Sequence, residues 1–329
     1  MRSLLLTGVV AGLLGYAVAS PAQGKFGETS ELDGFIRSMV SQHDFDAGEL
    51  RQLLAQAESR QDIIDAMNNP AERLPWHRYR PIFLTSERIK QGVAFWNEHA
   101  ALLERISRDY GVPPEILVAI VGVETYYGRY KGRHRVLDAL TTLAFNYPPR
   151  AAFFRSELEH YLLLAREERF DPLEPTGSYA GAMGMPQFIP SSYRNYAADG
   201  DGDGRRDLYN SKADILASVA NYFRRHGWRQ GDLIAAPAQV RGDGWRGLVD
   251  TSLKPTHTFA ELAAAGVTTD IAAADDAPAR LLVLDTAGGS EYWATFHNFY
   301  VITRYNHSPL YAMAVFQLAQ AVKDRRQAS

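Results

Sequence analysis

The sequence predicts an α+β fold that is mostly helical, with one small sheet. Three observations carry this. Apolar residues recur at helical spacing through Glu31–Ser107 and again in several later segments. Aromatic and β-branched residues concentrate in Leu281–Leu284 and Tyr292–Tyr305, on either side of the turn residues Gly288-Gly289-Ser290. No internal repeat is present, which excludes a solenoid. At 329 residues and 46% hydrophobic the chain can bury one large core or two to three small ones.

Taken in order, the chain opens with Arg2, an apolar run from Leu4 to Ala19, and Ser20-Pro21. Ala17-Val18-Ala19 fits small-x-small cleavage, so residues 1–19 read as a secretory signal peptide cut after Ala19. The alternative is a membrane anchor, but spanning needs roughly 20 apolar residues and this run is short and glycine-bearing. The mature chain is therefore expected to be exported, without a stable membrane anchor. Phe35, Met39 and Val40, then Leu50, Leu53 and Leu54, mark the first helices; Asn69-Pro70 and Leu74-Pro75 interrupt them. Ser86 precedes an expected helix Glu87–Ile106 carrying Val93, Phe95, Trp96, Leu102 and Leu103. Pro113-Pro114 suits the start of the next, Glu115–Tyr127, which Gly128 ends. Further helices are expected at Leu137–Phe145, Ala151–Glu168 and Ser211–Arg225, with a long loop over 177–210. Residues 256–277 are weakly patterned, 281–305 read as a β hairpin, and Leu310–Val322 as a closing helix.

The net charge of -3 lacks the basic footprint of a nucleic-acid binder. There are no cysteines, which excludes disulfides, thiolate metal sites, a cysteine nucleophile and a lipid-bearing N-terminal cysteine.

Leu117, Ile120 and Glu124 are spaced i, i+3, i+7, which puts Glu124 on an apolar helix face near its C-terminus. Burial and the negative end of the helix dipole both disfavour a carboxylate there. A glutamic acid still protonated near neutral pH is what a general acid needs. Tyr126 and Tyr127, which follow, suit stacking on a sugar ring. The plain structural alternative is a glutamate at a fraying helix end, or one paired with Arg129.

Four blocks then decide between these. Val123-Glu-Thr-Tyr-Tyr-Gly128, Gly177-Ser-Tyr-Ala-Gly-Ala-Met-Gly184 with Gln187–Tyr193, Val219–Phe223 and Thr303-Arg-Tyr-Asn-His307 resemble, in order, the lytic murein transglycosylases of the B type. The resemblance runs from about Phe35 to Ala321. It implies a lysozyme-like core, a periplasmic location, and peptidoglycan glycan strands as substrate. The bond cleaved would be the β-1,4 link between N-acetylmuramic acid and N-acetylglucosamine, leaving a 1,6-anhydromuramoyl end. One glutamate serves as acid and then base, matched by Glu124; the sugar's own C6 hydroxyl attacks, so the second carboxylate of the usual glycosidase pair is not required. Ser178 and Gln187 match groups that hydrogen-bond the sugar; Tyr222 and Tyr305 match aromatic and hydroxyl contacts; Asn306 matches an amide contact; Tyr79 matches a more distal tyrosine. Arg150 matches a basic residue that holds the peptide, although the family often has two adjacent arginines where this chain has Pro149-Arg150. Core packing is the competing role for Tyr222 and Tyr305, and loop bonding for Gln187. A lysozyme-type hydrolase and a non-catalytic, calcium-dependent glycan-binding protein are the rival functions.

The resemblance also implies an arrangement of parts. A helical domain takes 25–104 and 219–275. The catalytic core takes 105–218 and 306–325. A small β domain takes 278–305.

Asp199, Asp201 and Asp203 occupy positions 1, 3 and 5 of an EF-hand-like loop, with Gly204 at 6, Arg205 offering its carbonyl at 7, and Asp207 at 9. Oxygen ligands at these spacings favour structural calcium. Position 12 is Asn210 where a bidentate glutamate is usual. The resemblance implies a longer loop, 199–214, closed by Asp214. Asp214 would also fit a helix capping box begun by Ser211.

Overall fold

The computed structural model describes residues 24, 25, 30–68 and 74–328. The expected signal peptide and the Asn69-Pro70 break lie outside these residues. Among them, no helix is long and apolar enough to cross a membrane. The described chain divides into two compact units, residues 74–127 with 219–328, and residues 24–68 with 128–218. This grouping places the Glu124 helix with the hairpin and closing helix rather than with the calcium loop.

In the first unit the central element is the helix Pro114–Thr125, with proline at its first turn. Every residue from Ile116 to Thr125 is buried. The apolar stripe expected from spacing is thus a helix buried on all sides, as its nearly continuous apolar sequence requires. The closing helix Pro309–Gln327 and the helix Ser86–Glu98 pack along it. The expected helix 87–106 is two helices, Ser86–Glu98 and Ala100–Tyr110, broken at His99, whose φ of -114° leaves the helical region.

The sheet of this unit has five antiparallel strands in the order His257–Thr258, Pro278–Thr286, Gly289–Phe296, Ala235–Val240, Val267–Thr269. The hairpin expected at 281–284 and 292 onward is its core, in register Leu281 to Ala294 and Val283 to Tyr292. Two expectations are corrected here. Residues 297–305 are helical, His297–Tyr305, not strand: Asn298, Phe299, Val301, Ile302 and Thr303 bury one side of a helix, and period outweighs their β-rich composition. The stretch 219–275, expected to be helical, contributes three strands to the sheet. Its only α-helix beyond Arg225 is Phe259–Ala264, started by a capping box of Thr258 and Glu261. One sheet face packs Leu262, Val267, Ala279, Leu281, Ala294 and Phe296 together. Elsewhere on the hairpin, Trp293 lies edge-on to Phe316 at 6.1 Å, and Glu291 Oε1 accepts from Trp76 Nε1 at 2.6 Å.

The second unit packs the helix Val136–Asn146 on Ala151–Glu168, which in turn carries the short helix Pro190–Tyr196. The loop after Thr176 is braced by backbone pairs His134 with Gly177, Gly177 with Met183, and Met183 with Phe188. Gly132 is needed there: its φ is +96°, and a Cβ would stand 2.0 Å from the Gly177 carbonyl.

Candidate active site and metal loop

Glu124 sits one residue before the end of its helix and is 6% exposed. The helix stops because Tyr126 and Tyr127 turn left-handed, at φ +53° and +59°, before Gly128 at +89°. Their amides close the helix by donating to the carbonyls of Gly122 and Val121. Such strain in non-glycine residues costs about 1–3 kcal/mol each and persists where surroundings enforce it. Here Tyr127 is wedged into the core. A Cβ on Gly92 would stand 2.4 Å from its hydroxyl and one on Gly122 2.7 Å away; the ring packs on Phe95 at 5.6 Å, and the hydroxyl donates to the Arg88 carbonyl at 3.0 Å. Tyr127 therefore anchors the helix end and is not a sugar-stacking face, which corrects the reading from sequence. Tyr126 carries the Arg88 guanidinium 4.7 Å over its ring.

Around the carboxyl stand tyrosines from distant segments. The Tyr311 hydroxyl donates to Glu124 Oε1 at 2.5 Å. Tyr305 stacks parallel to Tyr311 at 6.4 Å, and Tyr222 meets Tyr305 at 4.9 Å. Burial pushes the Tyr305 and Tyr311 hydroxyls well above their ordinary value, and the neighbouring Glu124 charge adds to this. Both therefore stay neutral donors at physiological pH. The Tyr222 hydroxyl donates to the Arg304 carbonyl at 2.6 Å, fixing the backbone just before Tyr305. The Tyr222 ring stacks on His226 at 4.0 Å. Asn306 ends the helix of Tyr305 and is buried. Tyr79 is fully buried between Trp76 and Phe83, and close enough to Tyr311 to act on its ionisation.

In the second unit, Ser178 Oγ accepts from the amides of Ala180 and Ala182 at 3.2 and 3.0 Å, so it shapes its own loop. Gln187 is left-handed at φ +52° and 8% exposed. Its Nε2 donates to the carbonyls of Gly184 and Lys131 at 2.8 and 3.2 Å, while its buried Oε1 has no partner among the described residues. A buried acceptor left open costs about 1–3 kcal/mol. Arg150 stands apart from these two. Its guanidinium lies over Phe153 and Phe154 at 4.4 and 5.1 Å, and burial lowers its pKa.

The acidic loop brings one carboxylate oxygen each of Asp199, Asp201 and Asp203 within 4.8 Å of one another, all exposed. The bond from the Gly204 amide to Asp199 is the main cause holding that carboxyl below the usual range. This is a hard-oxygen set that fits a calcium ion. The Arg205 amide donates to Asp203 Oδ1. Asn210 turns to Asp207 Oδ2 at 3.0 Å. Asp214 is buried, and its two oxygens accept from the Gly200 and Asp207 amides, both at 2.7 Å, tying the loop's two limbs. Its amide donates to Ser211 Oγ at 3.2 Å, one half of the expected capping box.

Residues 27–320 match the family model of the transglycosylase SLT domain. The chain belongs to that family. It is 45% identical over 309 residues to the membrane-bound lytic murein transglycosylase B of Escherichia coli, covering 91% of this chain and 84% of that protein. It superimposes on the lytic transglycosylase SltB1 of Pseudomonas aeruginosa with TM-score 0.87 and 47% identity, over 91% of this chain and 99% of the other. The Escherichia coli lytic transglycosylase Slt35, solved in complex with calcium, matches at TM-score 0.83 and 46% identity over 90% of this chain and 94% of its own. These likenesses bear out the α+β, mostly helical, lysozyme-like fold.

In this lytic transglycosylase the residue that sequence reading missed is Tyr311. It lies 187 positions from Glu124 inside an apolar helix, where an aromatic reads as core. The available signal was its hydroxyl: a fully buried tyrosine needs a partner, and Phe would otherwise serve.

Proposed function

We propose that the protein cleaves the β-1,4 bond between N-acetylmuramic acid and N-acetylglucosamine in peptidoglycan, leaving 1,6-anhydromuramoyl ends. The observation that carries this is the buried Glu124, held through one oxygen by the Tyr311 hydroxyl at 2.5 Å among neutral tyrosines. The substrate class is supported by the murein specificity in the name of its Escherichia coli relative.

Glu124 first gives its proton to the glycosidic oxygen as the C1–O4 bond breaks. The resulting carboxylate then takes the proton of the C6 hydroxyl while O6 bonds to C1, and Glu124 is left protonated for the next turn. No water enters, so products and substrate have equal total mass. Tyr311 holds one carboxyl oxygen and thereby orients the other for both transfers. In the first unit Tyr305, Tyr222 and Asn306 are sugar contacts, and the fully buried Tyr79 acts through Tyr311; in the second unit Ser178 and Gln187 are sugar contacts, with Gln187 Oε1 as an acceptor for a sugar hydroxyl or acetamido N–H. Arg150 takes a peptide carboxylate. Calcium at Asp199, Asp201, Asp203, the Arg205 carbonyl and Asp214 supplies a structural clamp, each Asp214 oxygen having a second lone pair beyond its amide bond. Residues 1–19 direct export to the periplasm.

The test is mass analysis of products from purified sacculi, beside Glu124→Gln. Anhydro ends, one water lighter than hydrolytic ends, are expected from the wild type, and no cleavage but retained binding from the variant. Reducing ends alone would make the enzyme a lysozyme-type hydrolase, and undiminished cleavage by Glu124→Gln would remove Glu124 from the mechanism.

A further inference from the structure

The eight residues Gly128-Arg-Tyr-Lys-Gly-Arg-His-Arg135 follow the Glu124 helix directly. They hold four Lys or Arg and no acid, in a chain whose net charge is -3. Two of the four are committed. Arg135 pairs with Asp138 at 2.6 Å and donates to the Gln56 carbonyl at 2.6 Å; Lys131 Nζ donates to the Tyr209 carbonyl at 3.1 Å. The other two, Arg129 and Arg133, are exposed and form no hydrogen bond or ion pair among the described residues. Arg129 lies 5.4 Å over the ring of Tyr130, which is 50% exposed, and this stacking limits the rotamers it samples.

An exposed arginine is ordinary; the backbone beneath these two is not. Gly128 and Gly132 are left-handed, at φ +89° and +96°, and Gly132 rests on the Gly177 backbone. His134 pairs with Gly177 and Arg135 with Thr176, next to Ser178. The Lys131 carbonyl accepts from Gln187 Nε2 at 3.2 Å. The two open guanidinium groups are thus carried on the same braced framework as Ser178 and Gln187. Arg150, by contrast, is half-buried against Phe153 and Phe154.

We propose that the loop 128–135 is a docking surface for the carboxylates of the stem peptides that hang from the glycan, with Arg129 and Arg133 as the binding groups and Tyr130 as the platform that holds Arg129. The planar guanidinium fork matches a carboxylate through two parallel N–H donors, which a lysine does not offer. The inference rests on the peptidoglycan reading above.

The experiment compares two substrates, glycan strands bearing stem peptides and the same strands stripped by an amidase. It uses the wild type, the double variant Arg129→Gln/Arg133→Gln, and the charge-keeping Arg129→Lys/Arg133→Lys. The glutamine pair is expected to raise KM on peptide-bearing strands about 10-fold, as loss of two charge-assisted contacts implies, with kcat unchanged and with no change on stripped strands. The lysine pair is expected to fall between. An equal loss on both substrates, or no loss on either, overturns the proposal. If the wild type cleaves neither substrate, the functional reading fails instead. Equilibrium binding of a peptide-bearing and a peptide-free disaccharide to wild type and glutamine variant then decides the docking surface alone: equal affinity of the two proteins for the peptide-bearing probe overturns it.

Discussion

Replacing Tyr311 by Phe isolates the contact that defines the site. The ring stays, so packing of the closing helix on the Glu124 helix is kept; only the hydroxyl that reaches Glu124 Oε1 at 2.5 Å is lost. Both partners are buried, so water does not take the hydroxyl's place freely. A hydrogen bond to a charged group contributes about 1.5–3 kcal/mol. In the proposed mechanism Glu124 is charged between the two proton transfers, so the loss falls on the reaction path. At about 1.4 kcal/mol per tenfold, kcat should drop roughly 10- to 160-fold. KM should hold, because Tyr311 touches the carboxyl and not the sugar. The pH profile adds a second reading. A donor to a carboxylate favours the charged form, so removing it raises the pKa of Glu124. The limb where the acid form is lost should therefore move to higher pH in the variant. The assay is steady-state cleavage of soluble glycan strands across pH, with melting temperature as the control for folding. An unchanged kcat with an unmoved alkaline limb would refute the role of Tyr311; a rise in KM alone would make it a sugar contact.

Two further outcomes follow from the second unit. Calcium at about 10 mM, against a dissociation constant on the order of 10⁻⁴–10⁻³ M, should stabilise by about 1.4–2.7 kcal/mol. The melting temperature should rise in wild type and not in an Asp199→Asn/Asp201→Asn variant; an equal rise in both would mean the acidic loop is not the binding site. Glu157, which accepts from the amide and hydroxyl of Ser191, has its pKa raised by burial. The folded state therefore holds this proton more tightly than the unfolded chain, and stability falls as pH rises from the ordinary glutamate value through the folded one. Glu157→Gln does not titrate, so the difference in melting temperature should move in its favour as pH rises above the ordinary glutamate value; a constant difference counts against the buried-acid reading.

The helices were legible because their apolar periods were long. Ala151–Glu168 and Val136–Asn146 fall within one residue of expectation. The hairpin was legible from its glycines and alternating strand residues. Residues 297–305 were not, because β-rich composition hid a helical period, and the strands at 235–240 and 267–269 were missed because they are short and polar on one side. Of the site, Glu124 and the three aspartates were visible because each is local: a carboxyl on an apolar helix and a ladder with fixed spacing.

What the sequence determined by itself was the inventory of chemical groups and the local geometry that presents them, since helix period, turn glycines and loop spacing act over a few residues. Only the tertiary structure decided which groups act together. It brought Tyr311 to Glu124 across 187 residues, turned Tyr127 from a sugar platform into a half-buried anchor, and gave both Asp214 oxygens to the Gly200 and Asp207 amides. The physical reason is that a buried polar group must find a partner, and that partner is set by packing between distant segments rather than by neighbours in the chain.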